Sequence, residues 1–422
     1  MADVLPTPPL QVVVVGGGIA ALEVVLALRD LAGARLEVTL IAPEPDFVLR
    51  PLAVAATFGR GHLDKLPLAQ VMEEHGGHFV RSAVDRVNAA AHTLKLVTGR
   101  TVAYDALVLA QGAAEVVALP SALTVGEHSA AFAGILADLE QGYTRSVAFV
   151  IPDGNTWPLP LYELALMTAE EVWSMNMDEV ELHLVTPEPR PLDVFGPEAS
   201  AAVAELLAAG RITTHLGVRA KTTQPKPNSI EVGDGEIITV DRLVALPVLE
   251  GRRLDGIPSN ALGFTPVDDA GVVDGLEDVY AVGDITDRPI KQGGLACQQA
   301  DVAAAHIAAR AGADVAVPAL EQVLRGRLLT GGRDRFLTRR PRSGSEATTA
   351  EPLWWPPAKV SGKYLSPYLV AKDVVHLPAR GAALEAGVDV DVPVSHERLV
   401  LGGVIDSSGL RPITQRHAGT RA

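Results

Sequence analysis

The sequence predicts an α/β fold: two Rossmann-like domains, the first of them discontinuous, followed by a C-terminal domain. Three observations predict it. A Val-rich run, Leu10 to Val15, meets Gly16-Gly17-Gly18 and then an Ala/Leu-rich stretch with helical spacing, the pattern of strand, tight turn and helix. The same plan returns at Ser146, where a new apolar run leads through a Pro-rich loop into another helical stretch. Finally, Val279 to Asp284 regains strand character and opens a long Ala-rich helix, so the first sheet is rejoined after an interruption.

The first unit reads as a strand over Leu10 to Val15, a helix over Ile19 to Leu31 and a β-branched strand over Leu36 to Ile41. This is a βαβ unit of about 30 residues, which implies a parallel sheet. His78 to Val87, His92 to Val97 and Thr101 to Val108 alternate apolar and polar residues, which predicts an antiparallel meander whose end, Ala106 to Ala110, returns to the main sheet. The second unit has strands at Ser146 to Ile151 and Val180 to Val185, a helix at about Leu161 to Met175, and a helix over Pro197 to Ala209. Strand-like runs follow around Ile230 and over Val240 to Leu246. A helix is expected from Gly293 to Ala311, and Arg339 to Glu351, rich in Arg, Ser, Gly and Thr, reads as a mobile loop. The expected domains are 1–115, 116–250, 251–330 (completing the first) and 331–422.

Composition narrows the function. At 422 residues the chain is too long for one ordinary core, and its 48% hydrophobic and 21% charged residues suit a globular protein with a large interior. A formal charge of −15 argues against a nucleic-acid partner, because phosphate binding needs clustered Lys and Arg. Met1 to Leu10 contains three prolines and no basic stretch leading into an apolar one, so a cytoplasmic protein is expected. No run of about 20 apolar residues is present, so no integral membrane segment is expected. No His, Cys, Asp and Glu cluster has metal-ligand spacing, so no metal is expected, and no G-x-S-x-G nucleophile turn points to a hydrolase. Cys297 is the chain's one cysteine, which excludes an internal disulfide and any thiol relay within one subunit.

Gly16-Gly17-Gly18-Ile19-Ala20-Ala21 fits the G-x-G-x-x-A dinucleotide fingerprint. Gly16 permits the tight turn, Gly18 lets a pyrophosphate approach the backbone, Ala21 is placed with them at the pyrophosphate, and the helix N-terminus favours negative charge. The acidic residue that usually ends the second strand is replaced by Ala42. Glu44, two positions on, is the candidate for the ribose hydroxyls, an exposed surface carboxylate being the alternative.

Val279-Tyr280-Ala281-Val282-Gly283-Asp284, followed by Ile285-Thr286-Asp287, resembles the second FAD motif of the pyridine nucleotide-disulfide reductase superfamily. Leu107 to Ala113 resembles its Ala-Thr-Gly turn, with Gln111 in place of Thr and Gly112 as the glycine. Phe47-Val48-Leu49-Arg50-Pro51-Leu52 is similar to the stretch beside the flavin in sulfide:quinone oxidoreductases, flavocytochrome c sulfide dehydrogenases and type II NADH dehydrogenases. The resemblance implies an FAD-dependent oxidoreductase in which Gly283 and Asp284 meet the ribitol chain. Lys291-Gln292-Gly293-Gly294-Leu295-Ala296 would start the helix that faces the flavin pyrimidine through Gly294 and Leu295. Arg50 and Lys291 are then the candidates for tuning charge near the ring, a solvated lysine being the alternative for Lys291. The expected partners are a small-molecule electron donor, NAD(P)H among the candidates, and an acceptor such as a quinone or dioxygen. A homodimer is left open. An FAD-binding redox sensor without efficient turnover is the alternative function.

The sequence departs from these relatives in three places. Sulfide oxidation there uses two cysteines, whereas Cys297 stands alone inside a helix and reads as a small core thiol. The second βαβ turn, Pro152-Asp153-Gly154-Asn155-Thr156-Trp157-Pro158-Leu159-Pro160, replaces a Gly-rich turn, and its prolines remove backbone donors. Trp157 and these prolines are candidates to line an apolar pocket over the flavin. Glu163 falls near a glutamate of the NADH-dependent relatives, with an ordinary helix residue as the alternative. Leu377 to Ala422 lacks the sustained helical apolar face of a membrane anchor. Trp354-Trp355 and Lys363 to Tyr368 would either cover the flavin or pack in a domain interface.

Overall fold

Val12 to Val15 are all buried, so β1 (Leu10–Val15) is covered on both faces, the situation of a central strand in a parallel sheet. The computed structural model describes residues 8–126, 131–222, 228–233 and 235–375; the expectations for Leu377 to Ala422 lie outside them. The chain continues through α1 (Ile19–Ala32), β2 (Leu36–Ala42), β3 (His78–Arg81) and β4 (Ala106–Leu109). It then forms β5 (Leu123–Thr124), α2 (Phe132–Glu140), β6 (Ser146–Val150), α3 (Leu159–Ser174), β7 (Glu181–Thr186), α4 (Pro197–Ala209), β8 (Ile212–Leu216) and β9 (Arg242–Ala245). The remaining main elements are β10 (Val279–Ala281), α5 (Gly293–Arg310), β11 (Leu324–Leu328), β12 (Arg335–Arg340), β13 (Ser345–Thr349) and α6 (Leu365–Ala371).

Two parallel five-stranded sheets result, ordered β3-β2-β1-β4-β10 and β8-β7-β6-β9-β5. The first has the doubly wound order, with its reversal between β1 and β4; the second reverses between β6 and β9. The anticipated interruption is therefore present: β10 joins β4 only after the whole second sheet has been built. Ala113–Val116 pairs antiparallel with Val248–Gly251, forming the ribbon that carries the chain out of the first sheet and back. Among the described residues, no helix is long and apolar enough to cross a membrane.

The helix α1 lies on the first sheet beside α5, and small residues set how closely they approach. Ala20, Ala21 and Ala27 of α1 share a core with Ala296, Ala300, Ala303 and Ala304 of α5. Leu22, Val24, Val25 and Leu28 of α1 are also buried there, each worth about 1.5–3 kcal/mol of transfer free energy. On the sheet's other face Val13, Val15, Ile41, Leu107 and Leu109 pack with Leu94 and Leu96 from a three-stranded meander (Val84–Asn88, Thr93–Leu96, Thr101–Ala103).

Two expectations are corrected here. His78 to Arg81 does not belong to the meander: it pairs parallel to β2 as the edge of the main sheet, and the strand breaks at Ser82, whose amide bonds Ala42 O at 3.0 Å. Arg339 to Glu351, expected to be a loop, lies on the β12–β13 hairpin. Phe336 and Leu337 are buried on β12, and the polar strand β13 is tied to α4 by hydrogen bonds. The Glu198 amide donates to Glu346 Oε1 at 3.1 Å, and the Thr348 amide donates to Glu198 Oε1 at 3.0 Å. Trp354 is buried, edge-on to Phe336 at 5.1 Å between ring centroids, so the packing alternative describes it.

Candidate functional site

Gly16 has φ of +126°, and a Cβ there would stand 2.3 Å from the Ala110 carbonyl oxygen, so only glycine fits. That carbonyl belongs to the turn leaving β4, where Gly112 (φ +67°) has open space around it. Gly18 is constrained differently. Its backbone is extended (φ −95°), it is exposed, and a Cβ would meet nothing within 4 Å. No side chain caps α1, so its first amides face this open ground, which suits an anion. Ala21 is fully buried in the contact of α1 with α5.

The turn after β10 closes on the same place. Gly283 (φ +78°) leaves so little room that a Cβ would lie 3.0 Å from Ala20 Cβ and 3.3 Å from Ala296 Cβ. Its amide donates to Gln299 Oε1 at 2.8 Å, and its carbonyl accepts from Thr286 Oγ1 at 2.8 Å, which pins the turn to α5. Asp284 follows, half-buried, with no protein hydrogen bond to its carboxylate among the described residues. Burial pushes it up to about 6, while the charge of Lys291 pulls it down. Lys291 is buried, so the solvated alternative is overturned. Its ammonium donates to Thr286 O and sits 3.8 Å from the centroid of the Phe264 ring. Burial lowers it to about 8, against the opposing charges of Asp284 and Asp287.

At the start of α5, Gln292 Oε1 accepts from Leu295 N at 2.8 Å, and Gln292 Nε2 donates to Arg325 O at 3.0 Å. The helix start is thus tied to β11, with Gly294 and Leu295 both buried. Gly293 is wedged between Ile19 and Val360, each 3.1 Å from where its Cβ would be. Four segments the sequence marked separately, 16–21, 110–112, 283–287 and 291–296, meet here.

Glu44 is exposed two residues beyond β2, and Arg50 is exposed at the head of the short turn Arg50–Leu52; their candidacy still rests on chain position. Trp157, expected over the flavin, instead packs edge-on to Phe195, 5.8 Å between centroids, at the edge of the second core. Cys297 is fully buried, and burial pushes its thiol well above the ordinary range.

Sequence reasoning missed several residues that hold the site. Gln299 and Lys359 gave no local signal. Gln292, placed just before two glycines and a helix, was readable as a cap. Lys359 Nζ pairs with Glu163 inside the protein and donates to Arg327 O at 2.8 Å, while Leu329 N donates to Glu163 Oε1 at 2.9 Å. Glu163 is therefore engaged in a buried structural ion pair, and these contacts give no support to the role of its counterpart in the NADH-dependent relatives. Burial raises Glu163 and lowers Lys359 although each partner's charge opposes the shift. Glu23 of α1, also buried, accepts from Tyr364 N at 2.9 Å and Leu365 N at 2.7 Å, clasping the start of α6.

Comparison with known proteins agrees with this geometry. A family model described as pyridine nucleotide-disulphide oxidoreductase matches residues 10–147 and 163–316, more than half of the chain. The chain belongs to that family. Within the pyridine nucleotide-disulphide oxidoreductases it is an FAD-dependent oxidoreductase. It is 26% identical over 228 residues to the sulfide-quinone reductase of Aquifex aeolicus, covering 51% of this chain and 52% of that protein, so it matches about half of that relative's length. It is 28% identical over 343 residues to the ferredoxin reductase component of a Cupriavidus chlorobenzene dioxygenase, covering 73% and 77%. The solved sulfide:quinone oxidoreductase of Aquifex aeolicus superposes with a TM-score of 0.71 at 21% identity, over 80% of this chain and 86% of that one, a likeness of fold.

Proposed function

We propose that this flavoprotein passes electrons from a small reduced donor through FAD to a quinone or dioxygen, without a cysteine pair. The observation that carries the reading is Asp284. It is a half-buried carboxylate with no protein hydrogen bond among the described residues, on a turn pinned by Gln299 against the N-terminal ends of α1 and α5. Bound FAD supplies the redox chemistry. In this reading Gly16 and Gly18 admit the pyrophosphate to α1, Ala21 lets α1 pack closely on α5, Glu44 meets the ribose, and Gly112 keeps the adjoining turn clear. Gly283 shapes the turn, and Asp284 accepts from the ribitol hydroxyls. Gly294 and Leu295 present the positive end of α5 to the pyrimidine edge, where it favours negative charge. Arg50 adds charge beside the ring. Lys291 acts as a positioning residue, because its ammonium holds the loop that carries Asp284.

The chain has one cysteine, and it is buried, so oxidation of sulfide by a thiol pair within one subunit has no residues to use. The quinone acceptor is supported by the relative named a sulfide-quinone reductase. The test is to reduce the bound flavin photochemically without oxygen and then add a water-soluble quinone. Recovery of the oxidised flavin spectrum within seconds is expected. A reduced flavin that persists with both quinone and dioxygen would remove both acceptors and favour the redox-sensor alternative.

A further inference from the structure

The second Rossmann-like unit repeats the plan of the first and can be compared with it position by position. Gly16 N donates to Ile41 O, and Ile151 N donates to Val185 O, both at 2.8 Å. By strand register, Ile151 therefore occupies the place of Gly16. It is buried and carries a branched side chain where the first unit needs none. Three residues (16–18) join β1 to α1, whereas eight (151–158) join β6 to α3.

The longer turn folds into the crevice between β6 and β9. Leu249 N donates to Asn155 O at 2.7 Å, and Thr156 Oγ1 donates to Pro247 O at 3.0 Å. Gly154 is exposed like Gly18, but unlike at Gly18 a Cβ there would meet Val248 Cγ1 at 3.2 Å and Cγ2 at 3.4 Å. Asp153 adds a carboxylate to the turn, paired with Arg219 at 2.7 Å. The helix start offers less than that of α1, because Pro158 and Pro160 lack amide hydrogens. Glu188 lies two residues past β7, as Glu44 lies two past β2. Its carboxylate is turned inward, accepting from Tyr162 Oη at 2.7 Å and Thr186 Oγ1 at 3.1 Å, so it is committed before any ribose arrives. The N-terminus of α4 is taken by Glu346. The match to the family model, moreover, is interrupted over residues 148–162, the stretch that holds this turn.

We infer that the second unit has exchanged its nucleotide site for internal packing, so the donor that reduces the flavin is not NADH or NADPH. The residues do not fit a dinucleotide. The anion-binding turn is occupied by its own backbone and by Val248, and the acid for the ribose is already bonded. The unit serves instead as a scaffold onto which β13 docks through Glu346 and Glu198. This inference names the donor class for the flavin site proposed above and rests on that site being the working one.

The experiment uses the full FAD-loaded chain. NADH and NADPH are titrated by calorimetry up to about 1 mM, the upper end of ordinary cofactor affinities, and each is then mixed anaerobically with the protein while the flavin band is followed. A dithionite titration runs in parallel. We expect no binding heat and no bleaching by either nucleotide, with full bleaching by dithionite. Saturable binding of either nucleotide, or bleaching by it within seconds, would overturn the inference. A protein that retains no FAD, or whose flavin dithionite cannot reduce, would instead overturn the flavin-site reading, so the two failures are distinguishable.

Discussion

Gly16 and Gly18 stand two residues apart and answer to different physics. At Gly16 the backbone needs a positive φ and the Ala110 carbonyl occupies the place of a side chain. Gly16→Ala should cost the apo-protein about 2–4 kcal/mol, read as a lowered unfolding midpoint. Gly18 faces open space with an extended backbone, so Gly18→Ala should leave apo-protein stability within about 0.5 kcal/mol and lower FAD affinity by at least tenfold. Equal effects of the two substitutions on stability would contradict this division. Asp284 gives a pH prediction whose sign follows from its raised value. Near pH 7 the carboxylate is ionised and, in the proposed site, accepts from the ribitol, and protonation as pH falls through about 6 weakens that acceptor. Retention of FAD should therefore weaken below about pH 6, followed as released flavin fluorescence. Asp284→Asn should weaken binding at neutral pH and flatten the profile; an unchanged profile would show that another group titrates.

Helix α3 meets the segment after β13 through Glu163 and Lys359, a pair that neither element's sequence announces. With both charges buried, removing one partner leaves the other without its counter-charge. Lys359→Met should cost about 3–5 kcal/mol, while Glu163→Leu combined with Lys359→Met should cost less than the single change. Denaturant unfolding of the single and double variants measures this; a double variant less stable than Lys359→Met alone would mean that packing, not the unpaired charge, sets the cost. The hairpin β12–β13 makes the same point. Its polar sequence reads as a loop because hydrophobic periodicity is the usual strand signal; Phe336 and Leu337 do bury one stretch of β12, but β13 is polar and is held by hydrogen bonds to Glu198 on another element.

Across the whole molecule, the candidate site draws on α1, the turn after β4, the turn after β10 and the start of α5, so a cofactor held there ties together segments far apart in sequence. Removing FAD should lower the unfolding midpoint, since a ligand present at about 100 times its Kd contributes about 2.7 kcal/mol; scanning calorimetry of the protein with and without FAD checks it, and identical melts would deny the site this bridging role. Much of the architecture was legible beforehand: the two βαβ units, the return to the first sheet at Val279 and the Gly16 turn all follow from local period and glycine placement. The sequence by itself determined that plan, because strands, helices and tight turns are decided by residues near one another. Only the tertiary structure decided that Lys291 is buried, that Gln299 pins Gly283, that Lys359 finds Glu163, and that Val248 backs Gly154 in the second turn. Each depends on residues brought together from distant parts of the chain, and packing at that range leaves no periodic trace in either partner's own segment.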